Sequence, residues 1–518
     1  MRCDGRRGRF LLSMLVFVSS VVATDATVVA AEAGLRSKEL KLSVDGRIDS
    51  IVGIDLNGDG PKDLLVLSVQ GRSDAARRLA SVFLQKAGRS FPGRPDFVWE
   101  LDRSIVALDP YTDDLQSSER GTVYSIGADG VYAHRLDAGG RRITSSRVLS
   151  ADLAHLPAQK ESTLLLDFAA PWSGGPTEFL VPAFPHPLLL RPRDQGTHEA
   201  IALQIPPEPT YGVRSADGDG TDAPLTASFE FQRIVSADQN GDGRRELIAQ
   251  RMSTISVLET PGLSSTKTDG GRDRKIVTPR TYPLDILSDD EFRTQRCWQG
   301  AHFKELSGSE RMDVVATVSC EKGGLFEYGG RFLIFKSVPD GSFKQKPDQE
   351  FQIENALYWE LSIRDLDADG KPEITVPAVK LGVWGMIRAA TTHKVAFEFV
   401  TVALGSGGTF DTSRTWKDPV TLRLSSSKYD TPVILLANTD NDKITDLIVG
   451  TGANEVCVYN GIARHPDRRF SSSAGLCFQA DPYATFRKVD LDADGKDELI
   501  VEQTQSKSPG QLSVILFP

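Results

Sequence analysis

The sequence predicts an all-β protein: a single β-propeller of seven or eight four-stranded blades, with cation-binding loops between strands and the ring closed by the N-terminal strand. Three observations predict it. A nine-residue acidic loop, followed at once by a short run of β-favouring apolar residues, recurs five times. A turn signature ending in Phe recurs in phase with that loop. Gly (45) and Pro (28) are spread through all 518 residues, which suits many turns between short strands better than a few long helices.

The first segment stands apart from the repeats. Arg2, Arg6, Arg7 and Arg9 form a basic stretch, Phe10 to Val22 an apolar one, and Val21-Val22-Ala23 and Val29-Ala30-Ala31 offer small residues for cleavage. Thirteen residues at about 1.5 Å each fall short of a bilayer core of roughly 30 Å. Residues 1–31 are therefore expected to be a signal peptide, with 32–518 as the folded unit and a secreted, periplasmic or cell-surface location. No other segment is long and apolar enough to span a bilayer as a helix.

The repeats carry the architecture. Their acidic loops are 55–63, 238–246, 365–373, 438–446 and 490–498. Side-chain oxygens occupy loop positions 1, 3, 5 and 9 throughout. They are Asp55, Asn57, Asp59 and Asp63; Asp238, Asn240, Asp242 and Glu246; Asp365, Asp367, Asp369 and Glu373; Asn438, Asp440, Asp442 and Asp446; and Asp490, Asp492, Asp494 and Glu498. Position 6 is Gly in four copies, where a sharp turn calls for positive φ. Lys443 breaks that rule, which makes 438–446 the weakest of the five as a metal site. Residues 305–313 keep the frame with weaker ligands, Asp167 to Glu178 reads as a lengthened copy, and Asp109 with the strand-like 122–126 reads as a copy that has lost its loop. The count is thus seven units, or eight with the last.

The second signature is Ser90-Phe91, Ser342-Phe343, Thr409-Phe410 and Arg469-Phe470, each downstream of a loop and an apolar segment. Each unit then reads strand, acidic loop, strand, turn, strand, turn, strand, which is the pattern of a propeller blade. The last unit stops at its third strand, 512–516, and residues 39–44 resemble an outer strand, so the N-terminal strand is expected to complete it. The polar stretch 260–280 reads as an exposed loop between blade strands.

Four cysteines follow the leader, with three possible pairings. The local pairs Cys297–Cys320 and Cys457–Cys477 are favoured, because each would join neighbouring strands of one unit.

Carboxylates two residues apart at the head of a tight turn converge and repel. A hard cation taking six to eight oxygens at about 2.3–2.6 Å relieves that repulsion, and flexible all-protein ligand sets suit Ca²⁺ better than Mg²⁺. No His or Cys lies in the five loops, which disfavours zinc. About five calcium sites are expected. The loops hold 17 acidic side chains at these positions against a net charge of −10, so the acidity is accounted for without a basic partner. Position 12 is Val66, Ala249, Val376, Val449 and Val501, which excludes the EF-hand with its terminal Glu and following helix.

These residues resemble the FG-GAP and VCBS repeats of integrin α-chain-like propellers, over roughly residues 39–518. The shared part is D-x-[DN]-x-D-G-x-x-[DE] followed by an apolar residue. The resemblance implies calcium bound by the side chains at positions 1, 3, 5 and 9 and by a carbonyl at position 7. The Phe-Gly and Gly-Ala-Pro signatures of that family are absent.

A fold of this kind hosts many functions. The seven His are dispersed, and HExxH, G-x-S-x-G and glycine-rich phosphate loops are all missing. His198-Glu199 reads as a surface pair. The leading expectation is a non-enzymatic binding or adhesion module with structural calcium, meeting an unknown protein or glycan. The alternatives are a polysaccharide lyase or hydrolase on a propeller scaffold and a structural subunit of an envelope complex. Basic residues are scattered without interleaved aromatics, which argues against nucleic acid.

Overall fold

A computed structural model of the chain describes residues 37–517 outside short internal stretches, the longest being 112–120, 154–161, 214–224, 260–266, 288–296, 380–387, 424–431 and 503–509. The expected signal peptide, 1–31, lies outside the described residues. No helix among the described residues is long and apolar enough to cross a membrane.

Eight small sheets form a ring, which is the upper of the two blade counts expected. Blade 1 shows the common plan. Arg47–Ile54, Asp63–Gln70, Arg77–Phe83 and Phe97–Glu100 lie side by side in chain order, each antiparallel to the next. Blades 2 to 7 begin at Ala107–Tyr111, Ala169–Ala170, Ile234–Ala237, Cys297–Lys304, Ser362–Arg364 and Ile434–Ala437, and blade 8 at Thr485–Val489.

The strand after each acidic loop is the core of its blade. Asp63–Gln70 is buried at every residue but the last. Its alternating side chains serve two interfaces: Leu64 and Val66 pack toward blade 8, Leu65 and Leu67 toward blade 2. The same alternation recurs round the ring, so that each of the eight seams holds one apolar cluster. The turn phenylalanines reach back across these seams. Phe91, Phe343, Phe410 and Phe470 are buried against blades 8, 4, 5 and 6.

Ring closure follows the expected route. Lys38–Ser43 pairs antiparallel with Gln511–Leu516, from Lys38 opposite Leu516 to Ser43 opposite Gln511. This supplies the fourth strand of blade 8. Both favoured disulfides are present, and each joins residues directly opposite on adjacent strands: Cys297 with Cys320 in blade 5, Cys457 with Cys477 in blade 7.

Three local expectations are corrected. The copy at 167–178 is shortened, not lengthened: Glu178 bonds the Ser173 N–H only five residues back, where the complete loops span seven. Residues 260–280 do join two strands of blade 4, but Arg274–Val277 and Lys267–Thr268 within them extend blade 3, the former parallel to His198–Leu203. Glu199 is buried, not a surface group, and is ion-paired with Arg191 and Arg193.

Candidate metal centre

The acidic loops join the first strand of a blade to its second, and each is named here by its blade: loop 1 (55–63), loop 4 (238–246), loop 5 (305–313), loop 6 (365–373), loop 7 (438–446) and loop 8 (490–498). All six turn in the same way. Position 6 has positive φ, from Gly60 at 101° to Lys443 at 66° and Glu310 at 61°. Position 4 is also left-handed, at Gly58, Gly241, Gly308, Ala368, Asn441 and Ala493. The sequence reading missed this second requirement. Its signal was the restriction of position 4 to Gly, Ala and Asn.

The position-9 carboxylate pins the loop to the sheet. One of its oxygens accepts the position-2 N–H in every copy: Leu56 to Asp63 at 3.0 Å, Gln239 to Glu246 at 2.7 Å, Leu306 to Asp313 at 3.2 Å, Leu366 to Glu373 at 2.8 Å, Thr439 to Asp446 at 2.8 Å and Leu491 to Glu498 at 2.9 Å. The second oxygen divides the loops into two kinds. Where the residue is Asp, that oxygen takes an N–H from just after the blade's third strand, at Gln85, Ser337 or Gly461. Where it is Glu, the longer side chain turns the oxygen into the loop, toward Asn240 in loop 4 and Arg89 in loop 8.

These pins are buried, and burial raises their pKa against the pull of the N–H donors. Asp63 is pushed to about 6, and Glu373 and Glu498 to about 7, with neighbouring loop carboxylates adding to the rise. A metal-free loop therefore carries a proton affinity that a bound cation would displace.

The outer carboxylates organise the turn. Asp55 accepts the N–H groups of Gly58, Asp59 and Gly60, and Asp238 those of Gly241, Asp242 and Gly243. Three carboxylate oxygens lie within 4.8 Å of one another in loop 6 (Asp365, Asp367, Glu373) and in loop 8 (Asp490, Asp492, Glu498). In loop 8, one oxygen each of Asp490 and Asp492 is buried without a hydrogen-bond partner, as is the Asn438 oxygen in loop 7. Acceptors of this kind fit a hard cation. In loop 7, burial and the adjacent Asp440 raise Asp442. Loops 1, 4 and 7 each hold three carboxylates, and no ion pair engages them among the described residues. Loops 6 and 8 hold four, and each receives an arginine from the next blade: Arg469 to Asp367 at 2.7 Å, and Arg89 to Asp492, Asp494 and Glu498.

The loops also stitch the ring together. Position 8 donates across the seam to position 2 of the preceding loop, Lys62 to the Leu491 carbonyl and Thr445 to the Leu366 carbonyl. Met312 does the same through the Gln239 side chain, at 2.9 Å. Beside loop 6, a cleft of about 650 Å³ runs between blades 6 and 7, lined by Asp367, Asp369, Arg414, Trp416, Arg464 and His465 among others.

No family model matches the chain, and no curated protein matches it. Among solved structures, it is similar to a lectin of Agrocybe aegerita described by its specific recognition of non-reducing terminal N-acetylglucosamine, at 14% identity over 74% of this chain and 90% of the lectin, with a TM-score of 0.40. A TcdB2-TccC3-TEV structure matches at 13% identity over 88% of this chain and 23% of that one, with a TM-score of 0.17. Similarities this low carry no argument about ligands, and the assignment rests on strand pairing within the chain: it is an eight-bladed β-propeller closed by its own N-terminal strand.

Proposed function

We propose that the protein is an exported, calcium-loaded propeller of the FG-GAP/VCBS kind, acting as a non-enzymatic module that binds a protein or glycan. The observation that carries the calcium reading is the uniform loop. Six copies share one backbone turn and one buried pin, and three of them carry three carboxylates with no counter-ion among the described residues. Loops 1, 4 and 7 are the sites open to a divalent ion: Asp55, Asn57, Asp59 and Asp63; Asp238, Asn240, Asp242 and Glu246; Asn438, Asp440, Asp442 and Asp446. Calcium there supplies charge neutralisation and holds the turn. Because each turn is bonded to its neighbour across a seam, metal binding supports the ring as well as the blade.

The binding role is supported by the cleft beside loop 6. Its basic and hydroxyl groups, Ser413, Arg414, Thr415, Arg464 and His465, sit next to the carboxylates of Asp367 and Asp369, a polar lining of the sort that orients sugars or peptide groups.

A melt with and without calcium tests the metal. Sites with dissociation constants of about 10⁻⁴–10⁻³ M, held at ten times that concentration, each stabilise by about 1.4 kcal/mol. With an unfolding entropy of about 1 kcal/mol/K for some 480 residues, three sites raise Tm by about 4 °C. Equal melts in calcium and in chelator would refute the calcium reading. For the binding role, the purified protein is applied to glycan and protein arrays. Capture that is lost on mutating Arg464 and His465 supports the cleft; capture unaffected by those changes removes it.

A further inference from the structure

Loops 6 and 8 differ from the others in two ways that go together. Both have Asp at positions 1 and 3, Asp365 with Asp367 and Asp490 with Asp492, where each of the other loops has a neutral residue at one of the two: Asn57, Asn240, Ser307 or Asn438. Both face a guanidinium that enters from the turn before the outer strand of the next blade. Arg89, beside Phe91 of blade 1, makes ion pairs with Asp492, Asp494 and Glu498, the last at 3.4 Å. Arg469, beside Phe470 of blade 7, reaches Asp367 at 2.7 Å.

The same turn meets loops 4 and 5 with glycine. Loop 4, with Asn240 at position 3, faces Gly341, where an added Cβ would lie 3.4 Å from that of Asn240. Loop 5, with Ser307, faces Gly408, where an added Cβ would lie 3.0 Å from the Leu306 carbonyl. Along one chain, then, the two loops with Asp at both positions 1 and 3 are met by arginine across the seam, and loops 4 and 5, neutral at position 3, are met by glycine.

Both arginines are held in place. Arg89 has a φ of 54°, a left-handed conformation that costs a non-glycine residue roughly 1–2 kcal/mol. The Arg469 side chain is 4% exposed, and its guanidinium lies 3.7 Å from the centroid of the Trp416 ring and donates to the Ala463 carbonyl at 2.8 Å. Its backbone N–H is fixed by Asp418 at 3.0 Å. A buried guanidinium fixed in this way needs an anionic partner, and Asp367 is that partner.

We propose that Arg89 and Arg469 are the resident cations of loops 8 and 6. Each guanidinium takes the place that a divalent ion takes in loops 1, 4 and 7, and locks a seam without metal. In loop 8 it engages three of the four side chains an ion would use, so a second cation there would meet it at contact distance. The buried, unpartnered oxygens of Asp490 and Asp492 are the acceptors that removal of the guanidinium would open to an ion. The inference rests on reading these loops as cation cages.

The test is a count of bound calcium per full-length mature chain, by equilibrium dialysis with metal analysis, for wild type, R89Q, R469Q and the double variant. Wild type binds no more than three ions, each single variant one more than wild type, and the double variant two more. Wild type with five ions overturns the proposal, as does R89Q with no gain. Wild type with no ions but R89Q with one supports the arginine assignment while refuting calcium in loops 1, 4 and 7. Should R469Q fail to fold, the wild-type count and the more exposed Arg89 still decide.

Discussion

The pin at position 9 can be separated from metal binding at Asp313, because loop 5 offers only Glu305, Ser307 and Ser309 as its other groups. Asp313 is 1% exposed. It accepts the Leu306 N–H at 3.2 Å, the Ser337 N–H at 2.8 Å and the Ser337 hydroxyl at 3.2 Å. In D313N, one of the two oxygens becomes an NH₂ group facing an N–H. A charge-assisted bond worth about 1.5–3 kcal/mol is lost, and a buried donor left unpaired costs about 1–3 kcal/mol. Burial holds the Asp313 pKa up, so the charge was already disfavoured and part of that loss is returned. The net destabilisation is about 3 kcal/mol, or about 3 °C in Tm at an unfolding entropy of about 1 kcal/mol/K. D313E, which adopts the form seen at Glu246, Glu373 and Glu498, keeps the position-2 bond and falls between. Thermal melts in chelator measure all three proteins. A D313N midpoint within about 1 °C of wild type would refute the role of the carboxylate as a pin.

In chelator, the folded chain holds protons on Asp63 (pKa about 6), Asp109 (about 7), Glu373 and Glu498 (each about 7) that the unfolded chain releases near 4, since burial raises all four. Their contribution is complete below the unfolded values and is lost as pH rises through 6 to 7; urea midpoints should be higher at about pH 5 than at about pH 8, and, because Asp63 lies in a calcium loop, the gain from calcium larger at about pH 8. A flat or opposite profile would count against this. K443G relieves a left-handed non-glycine residue, φ 66°, and should stabilise by up to about 1 kcal/mol in a denaturant titration. Deleting residues 38–43 uncovers the edge of 511–516 and removes the buried Leu42; light scattering should show self-association together with a lowered Tm, and a monomer of unchanged Tm would contradict closure by that strand.

Much of the architecture was legible because its signals are local. The frame at positions 1, 3, 5 and 9 and the apolar run after it lie within a dozen residues, as do the Phe turns, and together they mark the first-to-second and third-to-fourth connections of a blade. Degenerate loops obscured the register in blades 2 and 3. Glu178 keeps a pin, but its loop is one residue short, since Ala170 pairs with Glu178 where Ile54 pairs with Asp63, so counting forward from Asp167 misplaces its start. The strands within 260–280 are short and polar, and only their pairing with blade 3 distinguishes them from a loop. The arginines were illegible for a different reason. Arg89 is more than 400 residues from the loop it enters, and nothing near it in sequence announces an acidic partner. Likewise, the pinning role of position 9 depends on burial beneath the turn, which no spacing reveals.

The pairing of 38–43 with 511–516 ties ring closure to the synthesis of residues 511–516. A nascent polypeptide can form blades 1 to 7 in turn, yet the circle stays open, with two apolar seams unsealed, until 511–516 has emerged and found 38–43. The slow, entropically demanding step therefore comes last, between segments that are furthest apart in sequence. Once joined, the two strands sit side by side at a single junction. A permuted gene that links them and opens the chain at another inter-blade turn should still yield the same closed circle.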